Sequence, residues 1–308
     1  MESSCDNSEN LKGTARTLDQ SHGAVPLKDG VISCDGAAVF DDSKSLLMCK
    51  DGEVRPRLAK ERDIYVFAYG TDYIGAVNAL YKITGEVPLV PRFALGNWGE
   101  KILDQSRYGH NKECMERIHE MHAHSMVSVW PNMNAGGKNH QEFFDAGYLL
   151  YDYATYDAFN EKAREMYWKQ AKEGLFDQGF DSWWCDSTEP FSGPDWGGAV
   201  KREPWERFQL VGGEHKKYLD PAVANAFALE HAKGIYENQR KDREDMRVLN
   251  LTRSGYASGQ KYAAMLWSGD TCADWKNLKI QIVEGLNMGL SGYPYWRYCS
   301  SWHDQQFC

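Results

Sequence analysis

Two aspartates mark the places where this chain is best equipped for chemistry. The apolar run Phe180–Cys185 leads straight into Asp186-Ser187-Thr188-Glu189-Pro190, and Tyr262–Trp267 leads into Ser268-Gly269-Asp270-Thr271. A third run, Met246–Leu251, delivers Thr252-Arg253-Ser254. If the three runs are neighbouring strands of one parallel sheet, Asp186 and Asp270 stand at the same end and can meet across a pocket. Glycoside hydrolysis wants that arrangement: one carboxylate attacks the anomeric carbon, and the other, kept protonated, donates to the leaving oxygen. On pattern alone, the same aspartates also read as caps of the helices that follow them.

The remaining constellations are weaker. His119-Glu120-Met121-His122-Ala123-His124 hints at a metal, but it is not H-E-x-x-H and no third ligand stands nearby. It reads as a helix end carrying solvated histidines, so neither a metal nor a cofactor is expected. The pairs Gly136-Gly137, Gly197-Gly198 and Gly212-Gly213 lack the Lys-Ser/Thr of a phosphate loop and the G-x-G-x-x-G pattern. Ser254 and Ser268 lack the G-x-S-x-G elbow of a serine hydrolase.

The elements that must position these residues follow from periodicity. Residues 1–60 are rich in turn formers and read as short β structure. Ile64–Tyr69 reads as a strand, and Thr71 or Asp72 caps a helix ending near Gly85. Beyond Pro91, strand-like Phe93–Trp98 is followed by alternating elements. These are helix Asn111–Ala123, strand Ser125–Trp130, helix Ala158–Phe176, strand Phe180–Cys185, a helix opened by Asp220-Pro221, strands Met246–Leu251 and Tyr262–Trp267, a helix from about Ala273, and the segment Met288–Pro294. Repeated βα alternation implies an α/β fold with a parallel sheet, whose commonest closed form is the (β/α)8 TIM-type barrel.

Composition narrows the function further. The 308 residues carry 35 Lys+Arg and 44 Asp+Glu, a formal charge of −9, which argues against nucleic-acid or anionic-membrane partners. No apolar run approaches the ~20 residues of a membrane span. The polar first 25 residues lack the apolar core of a secretory signal, and the eight scattered cysteines include no C-x-x-C pair. A cytoplasmic protein with reduced thiols is the expectation. Eleven tryptophans raise the idea of sugar stacking, although Trp is also ordinary core filler.

The stretches GFDSWWCDSTEP (Gly179–Pro190), LTRSGYASGQKYAAMLWSGDT (Leu251–Thr271) and EGLNMGLSGYPYW (Glu284–Trp296) closely resemble glycoside hydrolase family 31. That family comprises retaining α-glucosidases, α-xylosidases and relatives on a (β/α)8 barrel. PLVPRFALGNW (Pro88–Trp98) resembles its barrel entry, and MVSVWPN (Met126–Asn132) its third-strand region. GTARTLD and FDDS (Gly13–Asp19, Phe40–Ser43) are reminiscent of the preceding β-sandwich. The resemblance makes Asp186 the nucleophile and Asp270 the general acid/base. It makes Arg253 a sugar-binding residue, and it puts Trp267 and Trp130 at strand ends that line the sugar subsite. Trp183 and Trp184 alternate about their strand, so at least one belongs to the core; Trp184 is the candidate for the sugar side. The implied substrate is a glycoside or oligosaccharide with terminal α-linked glucose or xylose.

The match has gaps. Asn97-Trp98 runs almost at once into Gly99-Glu100-Lys101-Ile102-Leu103, which resembles sequence beyond the family's second strand, so about one βα unit with its substrate-binding Asp is absent. After Tyr295-Trp296 the family's Asp-Ile-Gly-Gly-Phe-like segment is replaced by Arg297-Tyr298-Cys299. About six strands are expected from Pro88 onward against the eight of a closed barrel. The resulting division is 1–87, a remnant of the N-terminal β-sandwich with a linker, and 88–308, an incomplete barrel of a shortened family member. A catalytically silent carbohydrate-binding remnant is the alternative to an enzyme.

Overall fold

The computed structural model describes residues 30–43, 47–49, 54–55, 62–96, 110–150, 154–188, 226–269, 271 and 274–297. Two antiparallel pairs come first. Strand β1 (Ala37–Asp41) pairs with β4 (Ile64–Ala68), and β2 (Leu47–Met48) with β3 (Val54–Arg55). Helix α1 (Tyr73–Thr84) opens on Asp72, whose carboxylate accepts the Gly75 N–H at 2.9 Å. Ala76 of α1 is buried with Phe67 of β4 and Val31. The end of α1 is tied to the rest of the molecule by Gln260, whose side-chain amide donates to Thr84 Oγ1 and Gly85 O.

Phe93–Trp98 does not begin as a strand: Arg92–Leu95 is a turn of 3-10 helix. Pro91 sits at φ −54°, and its carbonyl accepts the Ala94 N–H, so the chain turns before extended pairing can start. Residues 97 and 98 lie outside the described residues.

The parallel sheet has the order β5-β6-β7-β8-β9, comprising Met126–Val129, Ser182–Cys185, Asn250–Thr252, Ala264–Trp267 and Trp296–Arg297. All four pairings are parallel. The helices are α2 (Asn111–Glu120), α3 (Lys138–Ala146), α4 (Glu161–Gly174), α5 (Phe227–Asp242) and α6 (Trp275–Leu290). Helix α4 precedes β6, α5 precedes β7 and α6 precedes β9, the repeating unit of a TIM-type barrel. Among the described residues the sheet has five strands and is open. The final strand forms later than Met288–Pro294, because α6 continues through Leu290 and a turn follows. The expected Asp220-Pro221 helix start lies outside the described residues.

Period-two alternation sorts the core into two layers. Trp183, Cys185 and Val129 pack outward with Tyr167 and Trp168 of α4 and Phe227 and Ile235 of α5. Leu249, Leu251, Met265 and Trp267 pack inward with Val90, Ala94 and the half-buried Trp184. Among the described residues no helix is long and apolar enough to cross a membrane.

Candidate active site

Alternation decides which residues face the inside of the sheet. Trp184 points inward while Trp183 points outward, so Asp186, two residues beyond Trp184, continues the inner series. Along the chain through β7 the inner series Leu249 and Leu251 runs on to Arg253. The structure brings these two ends together: Arg253 Nε lies 3.5 Å from Asp186 Oδ1, with the Arg253 side chain 2% exposed and that of Asp186 21% exposed. A buried guanidinium favours the ionised carboxylate, the form able to attack an electrophile. The remaining exposure leaves the aspartate open to a ligand.

Local backbone fixes the carboxylate. The Asp186 N–H donates to Val129 O, the last carbonyl of β5, at 3.0 Å. The chain then turns sharply through Ser187, at φ +55°, and the Ser187 N–H donates to Asp186 Oδ1 at 2.7 Å. A serine in the left-handed region is uncommon and costs energy. Next, the buried Thr188 hydroxyl meets that of Thr252 at 2.7 Å, joining the loop after β6 to the last residue of β7. Sequence reading missed Thr188 and Thr252 as positioning residues. The signal was present in their places immediately after the two apolar runs, within D-S-T and T-R-S.

Cys185 lies beside the aspartate, but it is buried in the outer layer. Burial first, and then the neighbouring Asp186 charge, push its thiol well above the usual range, so it stays protonated and inert.

The aromatic candidates divide. Trp267 is 1% exposed and lies edge-on to Trp184, with ring centroids 5.2 Å apart at 72°. The Arg297 guanidinium stands over the Trp184 ring at 5.2 Å, a cation–π contact that sequence reading did not foresee. Trp130 follows β5 directly and is 41% exposed at the same end of the sheet as Asp186. Its carbonyl accepts the Tyr167 hydroxyl at 3.0 Å. Asp270 falls outside the described residues. Its neighbours Ser268 and Gly269 leave β8 at the end where Asp186 and Arg253 stand, with Gly269 at φ +76°.

Comparison with known proteins bears on the family and the fold. The chain is 30% identical over 329 aligned positions to an α-xylosidase of Saccharolobus solfataricus, covering 92% of this chain and 43% of that protein. It is 24% identical to α-xylosidase A of Aspergillus niger, covering 64% of this chain and 30% of that protein. The chain thus spans less than half the length of these relatives. Among solved structures, the α-xylosidase of Xanthomonas citri superposes with a TM-score of 0.64 at 26% identity, covering 77% of this chain and 31% of that one. The family 31 α-glucosidase of Bacteroides thetaiotaomicron shares the fold with a TM-score of 0.63 at 18% identity, covering 94% and 57%. Residues 88–299 match the TIM-barrel domain of glycosyl hydrolases family 31. The parallel sheet and the family match point the same way, and the chain belongs to glycosyl hydrolase family 31.

Proposed function

We propose that this chain carries the catalytic centre of a retaining glycosidase that removes terminal α-linked xylose or glucose from glycosides and oligosaccharides. The observation that carries the reading is Asp186. It is a partly exposed carboxylate on the inner face of a parallel sheet, held by the Ser187 N–H and set 3.5 Å from the buried Arg253 guanidinium. In this reading the Asp186 carboxylate forms a bond to the anomeric carbon as the bond to the leaving oxygen breaks. Asp270 gives its proton to that oxygen. Asp270 then takes a proton from water, the water oxygen bonds to the anomeric carbon, and Asp186 is released. A retaining pair requires the two carboxyl groups to stand roughly 5–5.5 Å apart.

In this reading Arg253 binds sugar hydroxyls through its guanidinium, Trp130 and Trp184 offer ring faces at the subsite, and Trp267 backs Trp184. The chain divides at residue 88 in this reading, with 1–87 a β-sandwich remnant and linker and 88–308 an incomplete barrel. The similarity to three xylosidase structures, from Xanthomonas citri, Aspergillus niger and a soil metagenome, makes α-xylosides the first substrates to try and α-glucosides the second.

Release of the aryl group from aryl α-xylosides and α-glucosides is the test, with Asp186→Asn and Asp270→Asn as controls. The expected result is turnover that falls by at least ~10³-fold in Asp186→Asn. Hydrolysis unchanged in both variants would sink the assignment. A sugar-induced change in Trp fluorescence without any turnover would favour a carbohydrate-binding role instead.

A further inference from the structure

The histidines at the end of α2 gain in three dimensions the partner that their sequence lacks. His119 Nε2 lies 2.9 Å from Asp181 Oδ2, and His124 Nδ1 lies 3.3 Å from Asp181 Oδ1. Asp181 is 62 residues beyond His119, which is why no local motif announces it. The three ligand atoms all lie within 4.8 Å of one another.

The chain builds this meeting with care. Helix α2 ends in a six-to-one reversal: the Ala123 N–H donates to Ile118 O, the His122 N–H donates to His119 O, and His122 sits at φ +56°. That left-handed residue turns the chain so that His124 comes back beside His119, with ring centroids 5.9 Å apart. His124 is further fixed by stacking on Phe93 at 4.3 Å. Asp181 is 9% exposed and held from behind, because its Oδ2 accepts both the Ser125 N–H at 2.7 Å and the Ser125 hydroxyl at 3.1 Å. The two imidazoles, 38% and 43% exposed, leave the outer side open to solvent.

We propose that His119, His124 and Asp181 form a binding site for a divalent transition-metal cation of the zinc or cobalt type. Two imidazole nitrogens and one carboxylate oxygen are donors that suit such ions. Bonds of about 2.0–2.2 Å to nitrogen and oxygen require the donors to surround the ion at mutual spacings near those present. Solvent supplies the remaining positions. The Ser125 donors act on the carboxylate from outside the ligand set and hold its orientation.

The site is remote from the proposed chemistry. Asp181 precedes β6 and Asp186 follows it, a separation of roughly 16 Å at about 3.3 Å per residue. The ion would clamp the α2–β5 turn to the start of β6, a structural role at the N-terminal end of the sheet. It does not depend on the assignment of Asp186.

Co2+ titration of the full chain, followed by visible absorption, tests the site directly, with Zn2+ competition to displace the signal. The expected result is one equivalent of Co2+ bound without the intense thiolate charge-transfer absorption of cysteine ligation. His124→Gln and His119→Gln should each weaken uptake at least tenfold, and the rise in Tm with Zn2+ should vanish in the double variant. Asp181→Asn should do the same, although losing its bonds to Ser125 can unfold the chain. The exposed histidine variants therefore decide the matter. No uptake by the wild-type chain, or equal uptake by the wild type and the histidine double variant, would overturn the proposal.

Discussion

Asp186 owes its proposed role to a count of two along β6. Trp183 belongs to the outer core, where its indole N–H donates to Gln239 Oε1 at 2.8 Å, and Trp184 and Asp186 therefore share the inner face. This much was legible in the sequence, because a short apolar strand ending in Asp-Ser-Thr leaves few choices. The contact with Arg253 was not legible in spacing, since the two residues are joined only by parallel pairing of β6 and β7. Arg253→Ala should lower kcat/KM by about 10–10²-fold, the scale of losing hydrogen bonds that involve a charged group. Arg253→Lys should recover part of that loss through charge but not geometry. Steady-state kinetics on an aryl α-xyloside check both; an unchanged kcat/KM in Arg253→Ala would contradict its place in the site.

At the scale of elements, β6 and β8 follow the sequence closely, whereas the expected strand Met246–Leu251 pairs only near its end, as β7, and the beginning and end of the sheet differ. Strand-like Phe93–Trp98 failed because Pro91 starts a turn. Helix α3 escaped notice because its nine residues offer a single fully buried apolar side chain, Phe143, too little for a period to show. Asp72 was legible as a cap, whereas the cap of α6 was not, and such caps make measurable contributions. Asp274 opens α6 by accepting the Asn277 N–H at 2.7 Å and the Asn277 side-chain amide at 2.9 Å. Asp274→Ala should cost about 1 kcal/mol in a denaturant melt; no loss would show the cap to be idle.

A second element-scale property is acid sensitivity. His231 of α5 is wholly buried, with Nδ1 2.7 Å from the Tyr156 hydroxyl. Burial strips its charged form of water and pulls its pKa down to about 3. The unfolded chain binds a proton near the ordinary 6.5 and the folded chain does not until about 3. Stability is therefore present above 6.5 and lost as pH falls toward 3, by up to ~1.4 kcal/mol per pH unit. Glu284 runs the opposite way. Burial raises its carboxyl to about 7, so its contribution is lost as pH rises through that value. Its partial exposure makes the effect smaller. Comparing wild type with His231→Leu isolates the histidine. The variant should show a flatter loss of stability between pH 6.5 and 4, whatever its baseline, and an identical slope would contradict the burial argument.

For the whole molecule, five parallel strands suffice to bring β6, β7 and β8 side by side, and with them the ends from which Asp186, Arg253 and Asp270 depart. The fold class was legible because βα alternation is a long-range pattern repeated several times. The cation–π contact of Arg297 on Trp184 and the joining of His119, His124 and Asp181 were not, because each depends on distant elements meeting in space. The central claim is that this assembly makes Asp186 a nucleophile. Trapping tests it most directly: incubation with a fluorinated α-xylosyl or α-glucosyl fluoride, followed by mass spectrometry of the intact chain and its peptides. The account predicts one glycosyl unit esterified to the peptide bearing Asp186, absent from Asp186→Asn. Stoichiometric labelling at another residue, or unchanged labelling in Asp186→Asn, would contradict it.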